Sequence, residues 1–143
     1  MKYFVEAAGM CLPGIIENHE VAVIDPDAPI APLDVVAIVL DDFALQMIKV
    51  FLGIRTLPGD GGKAYAFGLL DPLAILVFPE SRIDVLHRVA SIIGDHGAER
   101  PATPLLRSSW LGYSAGFDTI PPINPGWRPP EGLERGGVNQ NAD

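Results

Sequence analysis

Two side chains in this sequence have the types needed for covalent chemistry at an acyl group. Cys11 is the one cysteine of the chain. It follows the small-residue stretch Ala7-Ala8-Gly9 and precedes Leu12-Pro13-Gly14, so it belongs to a turn. Lys49 lies inside an apolar segment, Phe43 to Leu52. Strand alternation puts it on one face with Leu45, Met47 and Phe51. An ammonium among such neighbours is poorly solvated, and desolvation disfavours the charged form. A neutral amine beside a thiol is a workable general base, and the thiolate it generates is a strong nucleophile. The same two residues also fit a quieter role. A single cysteine is commonly a small buried hydrophobe, and a strand lysine is commonly a solvated edge residue. From these two residues alone both readings stand.

Three histidines offer a rival base for Cys11 in an arrangement like that of cysteine proteases. His19 is close in sequence, across a loop. His87 sits in an apolar segment, where a satisfied structural role is the simpler expectation. His96 lies in a polar stretch. Glu17, Glu20 and Asp25 read as a solvated acidic rim, and Asp41-Asp42 as a tight turn. One cysteine excludes an internal disulfide and a cysteine-based zinc site, and no carboxylate spacing marks a cation loop. No metal and no cofactor are expected.

The elements that must position these residues are β-strands. Of 143 residues, 48% are hydrophobic and 20% charged, enough to build one packed core. Strands are expected at Lys2 to Ala7, Glu20 to Asp25, Asp34 to Leu40, Phe43 to Leu52, Ala64 to Leu69, Ala74 to Phe78 and Ile83 to Ile93. Asp34 to Leu40 is nearly all apolar, the mark of a strand buried on both faces. With Phe43 to Leu52 it forms a hairpin. Pro58-Gly59-Asp60-Gly61-Gly62 is a loop. Val85 to Ile93 also fits a short helix.

Composition changes near residue 95. The segment 96–143 holds half of the 14 prolines and both tryptophans. Its run Ile120-Pro121-Pro122-Ile123-Asn124-Pro125-Gly126-Trp127-Arg128-Pro129-Pro130 excludes a helix or strand interior. It reads as an extended arm that packs Trp110, Phe117 and Trp127 onto the body, as a flexible tail, or as a docking segment for a partner's aromatic groove. Ten Lys and Arg against 18 Asp and Glu give a net charge of −8. That excludes non-specific attraction to nucleic acid or anionic lipid. No apolar run is long enough for a transmembrane helix, and Glu6 interrupts any signal-peptide core. A cytoplasmic protein is expected.

The stretch Cys11-Leu12-Pro13-Gly14-Ile15-Ile16-Glu17-Asn18-His19-Glu20-Val21-Ala22-Val23-Ile24-Asp25-Pro26 resembles, without a gap, the signature block of the LexA-like S24 peptidases. That block reads Ser-Met-x-Pro-Thr-Ile-x-x-Gly-Asp-x-Val-x-Val-Asp-Pro. Cys11 falls on the nucleophilic serine, and Ile16, Asp25 and Pro26 match outright. The family's next strand start, Gly-Asp-hydrophobic, is similar to Leu33-Asp34-Val35-Val36. Its general-base lysine, on the return strand of a hairpin, corresponds to Lys49 in Met47-Ile48-Lys49-Val50-Phe51. Val85 to Gly94 resembles the family's final strand. The departures are Cys11 for serine, Leu12 for methionine, Gly14 for proline, and His19-Glu20 for Gly-Asp. Gly14 loosens a turn that proline would fix, and left-handed backbone is expected at Asn18 to serve the His19 position.

The resemblance implies a mostly-β, LexA-like domain over 1–95, followed by the Pro/Gly-rich arm 96–143. It implies a Cys11–Lys49 catalytic pair, with the Cys11 N–H as oxyanion donor. The DNA-binding half and cleavable linker of such repressors have no counterpart in the matched residues. Ala8-Gly9 is too close to Cys11 to fold back into the site. Cleavage is therefore expected in trans, on a polypeptide substrate, by a homodimer. The alternative is a catalytically silent module that dimerises or docks on another protein, such as a phage or stress-response regulator. A third reading is an accessory protein that captures a partner with its tail.

Overall fold

The computed structural model describes residues 1–8, 12–59, 61–70, 73–104, 107–108, 110 and 119–130. Cys11, its backbone amide and Phe117 lie outside the described residues.

The fold is mostly β. Among the described residues, eight strands form one antiparallel sheet: β1 (Tyr3–Glu6), β2 (Val21–Asp25), β3 (Val35–Leu40), β4 (Leu45–Thr56), β5 (Lys63–Leu70), β6 (Leu73–Pro79), β7 (Ile83–Ile93) and β8 (Glu99–Pro101). A 3-10 turn at Glu80–Arg82 joins β6 to β7. The order across the sheet is β1-β2-β7-β3-β4-β5-β6, with β8 also on β7. The long strand β7 joins two halves. Its first half pairs with β3, from Ile83↔Leu40 to Arg88↔Val36. Its second half pairs with β2 on one side, from Arg88↔Asp25 to Ile93↔Val21, and with β8 on the other. The helical alternative for Val85 to Ile93 is thereby replaced by strand. β-branched residues and ladders on both sides of the strand outweigh its weak 3.6-residue period.

Alternation sorts the core into two clusters. Val35, Ala37, Ile48, Val50 and Leu52 face one side, with Leu12, Ile15, Ile16, Val89 and Trp110. Val36, Ile38, Leu40, Met47 and Phe51 face the other, with Phe67, Phe78 and Ile30. All six residues of β3 are buried, as the unbroken apolar run predicts for a strand covered on both faces.

The β3–β4 connection is not the tight Asp41-Asp42 turn. The loop takes four residues, closed by Ala44 N–H to Leu40 O at 3.0 Å, and β4 begins at Leu45 rather than Phe43. Asp41, Asp42 and Phe43 all have left-handed backbone, with φ of 56°, 58° and 67°. Side chains from the start of β7 and the turn before it hold this loop. Arg82 donates to both carboxylate oxygens of Asp41 at 2.8 and 2.7 Å, and Asp84 accepts the Phe43 N–H at 2.9 Å.

The segment after residue 95 is partly built into the body. Gly94 to Ala98 reverse the chain so that β8 pairs with β7, an element the composition of this stretch concealed. Trp110 is fully buried against Gly68 of β5. Ile120 bridges Ile30, and Ile123 bridges Leu86 on the stretch of β7 that β2 does not reach. Trp127 meets the Tyr3 ring edge-on and stacks on Phe43, with centroids 6.2 and 5.9 Å away. Residues 119–130 are thus an ordered arm on the body.

Candidate active site

The segment from Leu12 to Glu20 is a compact turn between β1 and β2. Leu12 N–H donates to Ile16 O at 3.3 Å, and the Ile15 and Ile16 amides return to Leu12 O at 2.8 and 2.9 Å. Leu12, Ile15 and Ile16 are buried in the first cluster, which anchors the turn by its apolar side chains. Gly14 has φ of 87°. Proline, restricted to φ near −65°, cannot take that backbone, so glycine here is required by the turn rather than merely tolerated.

The left-handed residue at the end of this turn is His19 itself, with φ of 69°, and not Asn18. Its N–H donates to Ala7 O at 3.0 Å while the Ala7 N–H donates to Glu20 O at 2.9 Å. This reciprocal pair of bonds extends the β1–β2 ladder and forces the backbone at His19. Leu33 behaves likewise, with φ of 75°. Its N–H reaches Phe51 O at 2.7 Å, and the Phe51 N–H returns to Asp34 O at 2.8 Å. Left-handed backbone costs a non-glycine residue roughly 1–2 kcal/mol. The long-range hydrogen bonds on either side fix it here.

Glu20 is not part of a solvated rim. It is 9% exposed, and its carboxylate is gripped by Arg100 of β8 through both oxygens, at 2.9 and 2.6 Å. The fork holds the Glu20 carboxyl below the usual glutamate range, mainly through the hydrogen bonds from Arg100. Glu17 and Asp25 also serve locally, accepting the Gly14 N–H at 2.8 Å and the Asp27 N–H at 3.0 Å.

Lys49 is 1% exposed. It pairs with Val36 of β3, which pairs in turn with Arg88 of β7, and it stands on the Met47 and Phe51 face of β4. The expected alternation is therefore realised, and the solvated edge position is not. The sulfur–amine distance that would define the catalytic pair involves Cys11 and so lies outside the described residues. The turn that follows Cys11 packs on the opposite face of β4 from Lys49, so a Cys11–Lys49 contact requires the sulfur to reach the Met47 and Phe51 side.

The histidines divide clearly. His87 is fully buried, with Nε2–H donating to Asn124 O at 2.9 Å and Nδ1 accepting from the Tyr3 hydroxyl at 2.8 Å. Both ring nitrogens are committed to structure. His19 is exposed and within 3.4 Å of Glu6 Oε2. His96 is exposed in the Gly94–Ala98 reversal.

Among the described residues no helix is long and apolar enough to cross a membrane. No family model, no curated protein and no solved structure matches the chain.

Proposed function

We propose that the chain is an S24-like endopeptidase in which Cys11 is the nucleophile and Lys49 the general base. The observation that carries the reading is the burial of Lys49, at 1% exposure, on the return strand of a hairpin. Burial on the Met47 and Phe51 face takes the amine out of bulk water, the setting a lysine general base needs. The backbone lends further support. The family pattern has glycine at two positions that correspond to His19 and Leu33, and both residues have glycine-like φ, 69° and 75°.

In this mechanism the Lys49 amine takes the thiol proton as the Cys11 sulfur bonds to the scissile carbonyl carbon. The oxyanion is held by backbone amides. The tetrahedral centre collapses with loss of the amine, which leaves carrying a proton from the Lys49 ammonium. Lys49 then deprotonates a water that hydrolyses the thioester. No metal or cofactor enters. The substrate is a polypeptide supplied in trans, and the acting form is a cytoplasmic homodimer.

A second reading, a silent interaction module, is favoured by two features. The turn after Cys11 packs on the face of β4 opposite Lys49. Gly14 at φ 87° departs from the family's proline immediately beyond the nucleophile position. Alkylation with iodoacetamide separates the two, because Cys11 is the one thiol in the chain. The peptidase reading expects rapid reaction near neutral pH and a marked slowing in Lys49→Ala. Equal rates in the two proteins would leave the silent module.

A further inference from the structure

We infer that Arg100 is a positioning residue for the proposed nucleophile, holding from β8 the turn that directly follows Cys11. This rests on the reading of Cys11 as the attacking group. One guanidinium makes three directed bonds. Nη1 donates to Glu20 Oε2 at 2.9 Å, and Nη2 donates to Glu20 Oε1 at 2.6 Å and to Ile15 O at 2.8 Å. The network continues from Glu20. Its Oε1 also accepts the Glu17 N–H at 2.8 Å, and Glu17 Oε1 accepts the Gly14 N–H at 2.8 Å. A single arginine thus controls, directly or through two carboxylates, one carbonyl and two amides of a turn only a few residues long.

The surroundings are shaped for this contact. Arg100 pairs with Ile92, and the preceding chain reversal uses Gly97 at φ 81°. A Cβ on Gly94 would stand 3.2 Å from Glu20 Oε2 and 3.5 Å from Arg100 Nη1, so glycine lets the ion pair lie against the backbone. Lysine could keep the charge but not the fork, since it offers a point donor in place of a planar pair. The residue comes from outside the stretch that resembles the peptidase block. The segment after residue 95 therefore holds the turn that follows Cys11 in the sequence as well as packing on the body.

The test compares wild type, Arg100→Lys and Lys49→Ala in the full chain, by amide hydrogen exchange and by the pH profile of iodoacetamide alkylation at Cys11. In Arg100→Lys the Gly14 and Glu17 amides should exchange about tenfold faster or more, as expected for lost charge-assisted bonds, while β3 and β4 amides keep their protection. The Cys11 alkylation profile should move toward that of a free thiol although Lys49 is intact. Unchanged protection at Gly14 and Glu17 would overturn the inference, and so would opened amides with an unmoved alkylation profile. If Lys49→Ala alkylates like wild type, the catalytic pair falls, whatever the amides report. Should Arg100→Lys fail to fold, Glu20→Gln makes the same comparison. It keeps the side-chain shape but removes the charge, and faster exchange at the same two amides is again the supporting result.

Discussion

The Tyr3 hydroxyl donates to Nδ1 of His87 across 2.8 Å, joining β1 to β7 in the interior although the residues are 84 positions apart. Burial raises the Tyr3 phenol far above its ordinary pKa, so the hydroxyl keeps its proton. His87 must then accept at Nδ1 and donate from Nε2 to Asn124 O, which also ties the arm to the sheet.

That pair makes stability depend on pH. Burial, more than any other influence, lowers the His87 pKa below its usual 6.5, with nearby Arg128 acting in the same direction and Asp27 against it. The unfolded chain therefore binds the proton more readily than the folded one. The contribution of neutral His87 is complete above about pH 6.5 and is lost as pH falls through the lower folded value. Chemical denaturation at pH 7.5 and 5.5 should give lower stability at 5.5, with a shallower dependence in His87→Gln. Tyr3→Phe should cost about 1–2 kcal/mol at pH 7.5 by leaving Nδ1 unpaired. A pH-independent difference between wild type and His87→Gln would refute the assignment.

Backbone strain at His19 yields a second prediction. Its side chain is 79% exposed, so substitution there reads mainly the left-handed φ. His19→Gly removes a strain of roughly 1–2 kcal/mol while adding about 0.5–1 kcal/mol of unfolded-state freedom, and should be neutral to mildly stabilising. His19→Val, β-branched, should destabilise by about 1–2 kcal/mol. Thermal or urea midpoints for the two variants check the order, and Val matching Gly would contradict it.

Gly68 tests the packing of Trp110. A Cβ at Gly68 would fall 2.6 Å from Trp110 Cε2 and 2.7 Å from Cζ2, inside contact distance of a large ring that is fully buried. Gly68→Ala should destabilise by about 1–3 kcal/mol through overpacking. In the double variant Gly68→Ala/Trp110→Ala, the added penalty of the alanine at 68 should shrink, because its opponent is gone. Strict additivity would mean that the two residues do not press on each other.

Lys49 separates chemistry from stability. Lys49→Met keeps length and volume and removes the amine, so the packing of the apolar stem is retained. Alkylation of Cys11 near pH 7 should nonetheless slow by about tenfold or more if the amine drives thiolate formation. A large loss of stability with unchanged alkylation would assign Lys49 to structure alone.

Local pattern carried most of the strands. The unbroken apolar run of Val35–Leu40 marked a strand covered on both faces, and the two-residue period around Lys49 predicted its neighbours Met47 and Phe51, because both signals depend only on adjacent residues. The ordered arm was legible as one of three outcomes, since proline excludes regular structure without saying what the chain packs against. Four features were hidden. β8 is three residues long and carries no apolar alternation. The long Asp41–Ala44 loop is held by Arg82 and Asp84, far along the chain. Glu20 looked like one more surface acid because its partner, Arg100, lies 80 residues away. His19 and Leu33 carry a Cβ that usually forbids their backbone, and hydrogen bonds to Ala7 and Phe51 impose it.

By itself, then, the sequence determined a mostly-β body and the strand face on which Lys49 stands, because period and composition are written residue by residue. Only the tertiary structure decided which acid is clamped, which backbone is strained and where the arm lies. Those outcomes depend on groups that meet only once β7 has drawn the two halves of the sheet together.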